Sequence, residues 1–352
     1  MLISVDSRTY LLSKIKKIRK ERKLSNSEKF KNFINLSENS GPQNFLSDLI
    51  FQIEKKNLAK ITFNFFISNI HLINSGFYSP VWKYFSPKSK DSVILRLDGI
   101  GIDTADEGKE KVKYNLLNLI NKSSFLIYQS DFCRSCFMNI FESLPNGKVI
   151  RNGATELNYI SSNSKKLLTK INSRFKGKFF SLAGRFASRK RINEVINQFN
   201  QSDIGNLVVL SDVPNHLMHR NPRIIYLGMI EPDSARYIIS NSIALIHFDR
   251  YDWCPNLVIG AIYDRIPVIC SNFGGTPEIT GKNGLIIKEF PEDLPQNLEG
   301  IEFVNNSKFP SQIFKEAISD VWLSGMNITS DTFYDMKDTA TAYVNTAKNF
   351  QR

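Results

Sequence analysis

The feature that most constrains this chain is a rhythm that runs twice. Short, nearly continuous apolar runs rich in Ile, Val, Leu and Phe alternate with longer amphipathic segments. The first series has runs at 33–36, 61–66, 93–97, Phe125–Tyr128 and 148–150. After a polar stretch at 161–178, the second has runs at 179–183, Leu207–Leu210, 224–227, 244–248, 268–270 and Gly284–Ile287. Segments at 44–55, 111–120 and 191–199 carry apolar residues at helical spacing. A strand that is apolar along its whole length is covered on both faces, as in a parallel sheet with helices above and below. The two series therefore predict an α/β chain of two Rossmann-like domains whose parallel sheets face each other across a cleft. The expected boundaries put a basic arm at 1–28 and one domain at 29–165, onto which a final helix near 331–352 packs back. The second domain is expected at 166–330. Ligands in open sheets of this kind lie beyond the carboxyl ends of the strands, so functional residues are expected just after the apolar runs.

Composition narrows the classes. With 352 residues, 42% of them hydrophobic, the chain can bury two cores. No run reaches the ~18 apolar residues of a membrane span. The short apolar patch at 10–12 leads into a basic run rather than a secretory cleavage site, so a soluble, cytoplasmic protein is expected. Net charge is +12, and Lys14, Lys16, Lys17, Arg19, Lys20, Arg22 and Lys23 interleave with Leu11, Leu12, Ile15 and Ile18. Residues 10–23 read either as a basic amphipathic helix suited to an anionic membrane surface or as a solvated arm. No zinc-finger, RRM or comparable module accompanies the charge, so no nucleic-acid partner is expected. Cys133 and Cys136 form a C-x-x-C without a second ligand pair. They read as two small residues on one helix face rather than half a zinc site. His216 and His219 lie in a proline-flanked loop, and neither a metal nor a cofactor is expected.

Three places join residue chemistry to a strand end. At 179–190, FFSLAGRFASRK, a strand ends in Gly184, Arg185 follows, and Lys190 stands where a helix is about to begin. An Arg fork and a Lys point charge at such a junction can grip a diphosphate, or form a basic surface turn. Neither a P-loop nor a dinucleotide fingerprint is present. At 248–261, FDRYDWCPNLVIGA, a loop holding Asp252 leads into a helix for which Pro255 is the expected first residue. The N–H groups of Asn256, Leu257 and Val258 would then seat phosphate oxygens. Asp252 suits sugar hydroxyls or developing positive charge, or caps the helix. At 267–279, PVICSNFGGTPEI, Gly274 and Gly275 permit close backbone approach to a ligand. Glu278 there sits in a first helical turn, where the dipole alone would also favour it.

In order, G-R-x4-K at 184–190, Y-L-G-x-I at 226–230, D-x-C-P-N at 252–256, P-V-I at 267–269, G-G-x-P-E-I at 274–279 and N-G-L-I at 283–286 resemble the donor-binding domain of group 1, family 4-like glycosyltransferases. V-I-R-N-G at 149–153 looks like the end of that family's acceptor domain, and the closing helix looks like its crossover helix. The resemblance covers about residues 90–350. It implies the GT-B fold and places Arg185 and Lys190 on a donor diphosphate, with base contacts around Met229 and Ile230. Asp252 matches the first of the family's two acids, one methylene shorter. The second, a glutamate on the nucleotide ribose, falls on Gly260, with Asp264 one turn further as a conceivable substitute. Asp98 stands near the family's acceptor-side polar pair, or simply forms a turn before Gly99. Gly41 is readable as the remnant of a glycine-rich loop.

The resemblance further implies a retaining, metal-independent transfer of sugar from a nucleotide diphosphate-sugar to an acceptor hydroxyl of a glycan or lipid-linked sugar. The alternatives are another GT-B enzyme, such as a nucleotide-sugar epimerase, or a sugar-nucleotide-binding protein weakened by Gly260.

Overall fold

The computed structural model describes residues 1–6, 41–75, 91–100, 106–157, 160–326, 328 and 333–351. The expected strand at 33–36 and the basic segment at 10–23 lie outside the described residues. The chain divides into two compact units, Met1–Thr155 with Tyr334–Arg352, and Glu156–Phe333.

Unit 1 is built in the order β1 (Leu2–Val5), α1 (Gly41–Lys55), β2 (Lys60–Thr62), β3 (Ile70–Asn74), β4 (Ser92–Leu97), α2 (Asp106–Asn121), β5 (Phe125–Tyr128), α3 (Asp131–Ile140) and β6 (Gly147–Val149). The strands form one parallel sheet in the order β2-β1-β3-β4-β5-β6. The helix Met336–Lys348 closes the unit. It is tied in by a bridge between Ala154 and Asp335 and packs on α1, with the Phe45 and Tyr343 rings 5.9 Å apart. The strand expected at 61–66 ends at Thr62 and gives way to a 3-10 turn at Phe65–Ile67, and two further strands lie outside the expected runs. Residues 2–5 are not part of an arm but the strand between β2 and β3, so the supposed arm of residues 1–28 begins inside the core. Four residues are too few to show a period. β3 was hidden because His71 and Asn74 interrupt the apolar run, yet all five of its residues are buried. His71 Nδ1 lies 2.6 Å from Ser4 Oγ on the neighbouring strand, which removes the penalty of burying that nitrogen. Gly41 is the first residue of α1 rather than part of a loop.

Unit 2 runs α4 (Ser162–Phe175), β7 (Phe180–Ala183), α5 (Ile192–Gln201), β8 (Leu207–Leu210), β9 (Ile224–Tyr226), α6 (Pro232–Ile239), β10 (Ala244–His247), α7 (Asn256–Tyr263), β11 (Val268–Ser271), α8 (Gly275–Thr280), β12 (Gly284–Ile287), α9 (Leu298–Asn305) and α10 (Ser311–Ser324). Its parallel sheet has the order β12-β11-β10-β7-β8-β9. The boundary falls at 155/156, earlier than the expected 165/166, because the polar stretch at 161–178 is the helix α4. Ser161 caps it through the Ser164 N–H, and Leu168, Ile171 and Phe175 bury its inner face. That stripe is three residues wide, and the polar majority conceals it in the sequence.

Phe180, Leu182, Leu207, Val209, Ala244, Ile246 and Ile269 centre the core of unit 2, nearly all at zero exposure. Their strands are mainly apolar, with Ser181, His247 and Ser271 as buried polar exceptions, because helices cover both faces. Cys133 and Cys136 are both buried on α3, as two small residues of one face, and burial pushes the Cys136 thiol up to about 12. Among the described residues no helix is long and apolar enough to cross a membrane.

Candidate functional site

In unit 2 the chain leaves β7, builds β8 and β9 outward on one side, then returns to place β10 on the other side of β7. The pair β7–β10 is thus the topological switch point of the sheet, where connections diverge and leave a crevice beyond the carboxyl ends. Gly184 and the segment to Lys190 follow β7; the segment 248–252 follows β10.

Gly184 has φ +139°, closed to most side chains, and its N–H bonds Leu210 O at 3.1 Å. The next residue, Arg185, is exposed. The Phe186 N–H bonds Asp212 Oδ1 at 2.7 Å, and a single 3-10 turn, Ser188–Lys190, delivers Lys190 inward. Arg189 ties that turn to the segment after β10. The Arg250 N–H bonds Arg189 O at 2.8 Å, and Arg189 returns a guanidinium hydrogen bond to Tyr251 O at 3.1 Å. Arg191, at φ +51° and fully buried, pairs with Glu289, bonds Ser307 Oγ at 2.7 Å and lies over the Phe248 and Phe309 rings. A buried charge in a left-handed conformation persists only where surrounding contacts over-determine it.

Lys190 Nζ is shared between two carboxylates of the β10 loop, Asp249 Oδ2 and, at 2.8 Å, Asp252 Oδ2. His247, buried on the same strand end, sets Nε2 3.3 Å from Asp249 Oδ2 and 3.7 Å from Asp252 Oδ2. Arg189 NH1 lies 3.7 and 4.0 Å from the same two oxygens. Burial acts to raise the Asp252 carboxyl, but Lys190, then His247 and Arg189, hold it well below the usual carboxylate range. Burial likewise opposes the Lys190 ammonium, and Asp249 and Asp252 outweigh it and hold the amine above its ordinary value. His247, Asp249 and Asp252 are of ligand type for a divalent cation and lie close together. Lys190 Nζ already bonds the oxygens such an ion would take, which argues for a lysine-filled acid pair.

The other expected residues fall into place around this cluster or away from it. Pro255 is the cap of α7 rather than its first residue, since Ile259 N–H makes the first intrahelical bond to Pro255 O at 3.1 Å. The N–H groups of Asn256, Leu257 and Val258 precede that bond, at the positive end of the helix dipole. Gly274 and Gly275 do make a close backbone approach, but to the chain itself. A Cβ on Gly275 would lie 2.1 Å from Trp253 O, and one on Gly274 3.1 Å from Asp252 N. Gly275 N–H also bonds Asp252 O at 2.7 Å, so the double glycine clamps the acidic loop. Glu278 is in the first turn of α8. Met229 and Ile230 follow β9 at the sheet edge, Met229 with 55% of its surface exposed. At Gly260, Arg236 Cδ and Nε are 3.5 Å from a notional Cβ. Arg236 grips Asp264 through two bonds of 2.7 and 2.6 Å, which commits both carboxylate oxygens and argues against Asp264 as a substitute ribose ligand.

Asp98 belongs to unit 1. Its carboxylate pairs with Arg96, a fully buried cation that also bonds Asn152 Oδ1 at 2.8 Å and stacks 4.0 Å over Phe45. That is a network at the carboxyl end of β4, with the turn continued by Gly99 at φ +136°. His219 Nε2 is 2.7 Å from Asn197 Oδ1, a local pairing. Sequence reasoning missed Asp249, His247, Arg189 and the Arg191–Glu289 pair. The spacing H-x-D-x-x-D from 247 to 252 was the available signal for the first two.

No family model matches the chain. O-antigen chain mannosyltransferase B of Escherichia coli is 22% identical over 225 residues, 58% of this chain and 59% of that protein. The match therefore spans under two thirds of the relative. Among solved structures, Anabaena Alr3699/HepE in complex with UDP and glucose superposes with a TM-score of 0.56 at 14% identity, covering 99% of both chains. The sucrose-phosphate synthase of Thermosynechococcus elongatus gives 0.55 at 14%, covering 89% of this chain and 76% of that one. AviGT4, a glycosyltransferase involved in avilamycin A biosynthesis, gives 0.53 at 11%, covering 99% and 98%. The architecture they share with this chain is GT-B, in agreement with the motif resemblance.

Proposed function

We propose that this two-unit GT-B chain is a glycosyltransferase that moves a sugar from a nucleotide diphosphate-sugar to an acceptor hydroxyl of a glycan or lipid-linked sugar. The observation that carries the reading is the meeting of Lys190 and Asp252 at the β7–β10 switch point, with the start of α7 four residues beyond. Lys190, Arg185 and the N–H groups of Asn256, Leu257 and Val258 take the diphosphate; Met229 and Ile230 border the base. Asp252 accepts from sugar hydroxyls, and Gly274 and Gly275 keep its loop in place. As the bond to the anomeric carbon breaks, charge grows on the departing diphosphate, and these fixed donors stabilise it.

The transfer is retaining, with a departing phosphate oxygen taking the acceptor proton on the same face. No metal is required, because Lys190 supplies the positive charge at the acid pair. The acceptor is bound by unit 1. Residues 10–23 make peripheral contact with an anionic membrane surface on the cytoplasmic side, through their basic amphipathic pattern.

One observation favours a second reading. Gly260 offers no carboxylate and Asp264 is committed to Arg236, so a sugar-nucleotide-binding protein without turnover is the competitor. Both are tested by measuring nucleotide release from UDP-, GDP- and ADP-sugars, with thermal shift in parallel. UDP-glucose and mannosyl donors come first, given the ligands of HepE and the name of the E. coli relative. Binding with no release, even with glycan acceptors present, selects the second reading.

A further inference from the structure

Lys190 has two acidic partners, and the proposed donor needs one of them for the sugar. An ammonium carries three donors and sits on a flexible stem, so it goes where its partners hold it. Asp249 and Asp252 differ in burial: their side chains are 5% and 16% exposed. Asp252 also accepts the Trp253 N–H on Oδ1 at 2.7 Å, leaving Oδ2 as the oxygen it shares with Lys190. Asp249 lies deeper, with His247 Nε2 behind it at 3.3 Å; that imidazole has a side-chain exposure of 1%.

We propose that Asp249 is the positioning residue that keeps Lys190 at the phosphate seat while Asp252 turns to the donor sugar. The inference rests on the donor-site reading above and adds to it a division of labour between the two acids. With the donor bound, Lys190 keeps its bond to Asp249 and directs its other donors to diphosphate oxygens. Asp252 Oδ2 is then free to accept from a sugar hydroxyl. Without Asp249, Lys190 has Asp252 as its nearest carboxylate, and the ammonium and the sugar ligand neutralise each other. A carboxylate beside a phosphate seat is otherwise a liability, since like charges repel. The two ideas thus predict opposite signs.

The test uses the full chain and Asp249→Asn, with UDP, GDP and ADP as probes in calorimetric titration, then donor kinetics. Asp249→Asn is expected to weaken diphosphate binding by about tenfold to a hundredfold, the scale of a charge-assisted hydrogen bond. Donor KM should rise and kcat should fall. A merely structural role would lower the folded fraction and leave the KM of the remaining molecules unchanged. Asp249→Glu keeps the charge one methylene away and should bind with intermediate affinity; it decides the matter if Asp249→Asn does not fold. Binding by a folded variant as tight as wild type, or tighter, overturns the proposal while leaving the donor site standing. A wild-type chain that neither binds a diphosphate nor releases one from any sugar donor overturns both.

Discussion

Gly275 lies against the carbonyl of Trp253 so closely that a Cβ would meet the oxygen at 2.1 Å. The contact is backbone on one side and glycine on the other, so no rotamer can relieve it. Gly275→Ala should therefore destabilise unit 2 by about 1–3 kcal/mol through forced backbone shifts. It should also weaken nucleotide binding, because the loop displaced is the one carrying Asp252. A urea melt and a diphosphate titration measure the two effects; an alanine variant as stable as wild type would show that the loops do not pack as described.

Lys190→Met removes the hydrogen-bonded cation between Asp249 and Asp252 and leaves them only the more distant Arg189. Removing one partner of a mostly buried pair costs about 3–5 kcal/mol, and the slight exposure here puts the expectation at the lower end. The pH dependence has a definite sign. Because the folded-state carboxyl of Asp252 is depressed, its stabilisation is present in full above the ordinary value of ~3.9 and is lost as pH falls through the lower folded value. The raised amine contributes below ~10.4 and loses that contribution as pH rises through its folded value. Denaturation curves should show the difference from wild type flat between about pH 5 and 9 and closing at both extremes. A difference that grows in acid contradicts the pairing.

Arg185→Ala and Lys190→Ala should each abolish nucleotide release from the sugar donor that wild type uses. Lys190 carries the larger loss in diphosphate affinity, since Arg185 is exposed and water screens its charge. Full activity in either variant removes that residue from the site.

Gly260→Glu restores a carboxylate where the family resemblance implies a ribose contact. The first added atom meets Arg236 at 3.5 Å, an ordinary contact, so the variant should fold. Nucleoside diphosphates should bind more tightly while inorganic pyrophosphate is unaffected. An equal gain for both probes would mean the new charge acts on the phosphate region and not on ribose.

Replacing the seven Lys and Arg residues between 14 and 23 with Gln should reduce sedimentation with phosphatidylserine-containing vesicles. Truncation of residues 1–28 is the wrong experiment, since it also removes β1. Equal binding by the substituted chain identifies the segment as a solvated arm.

Much of the frame was legible in the sequence. Strands such as Phe125–Tyr128 and Leu207–Leu210 were found at their observed bounds because strands covered on both faces are apolar at every position. Lys190 and Asp252 stand out in the sequence because residues after strand ends in an α/β fold lie at the ligand edge of the sheet. These are local signals, carried by a few neighbouring residues each.

What tertiary structure alone decided is who meets whom. Lys190 and Asp249 are separated by 59 residues and Arg191 and Glu289 by 98, and nothing in their neighbours' periodicity announces either pair. The strand Leu2–Val5 is defined by its partners β2 and β3 rather than by its own four residues. The double glycine invited a reading as a seat for ligand because a missing side chain says only that something comes close. The fold supplied the something, the backbone of Trp253. Sequence determined the layers and the ends at which chemistry gathers, since burial sets local composition. Long-range packing determined the charge pairs, since a side chain's partner depends on where the whole sheet order brings it.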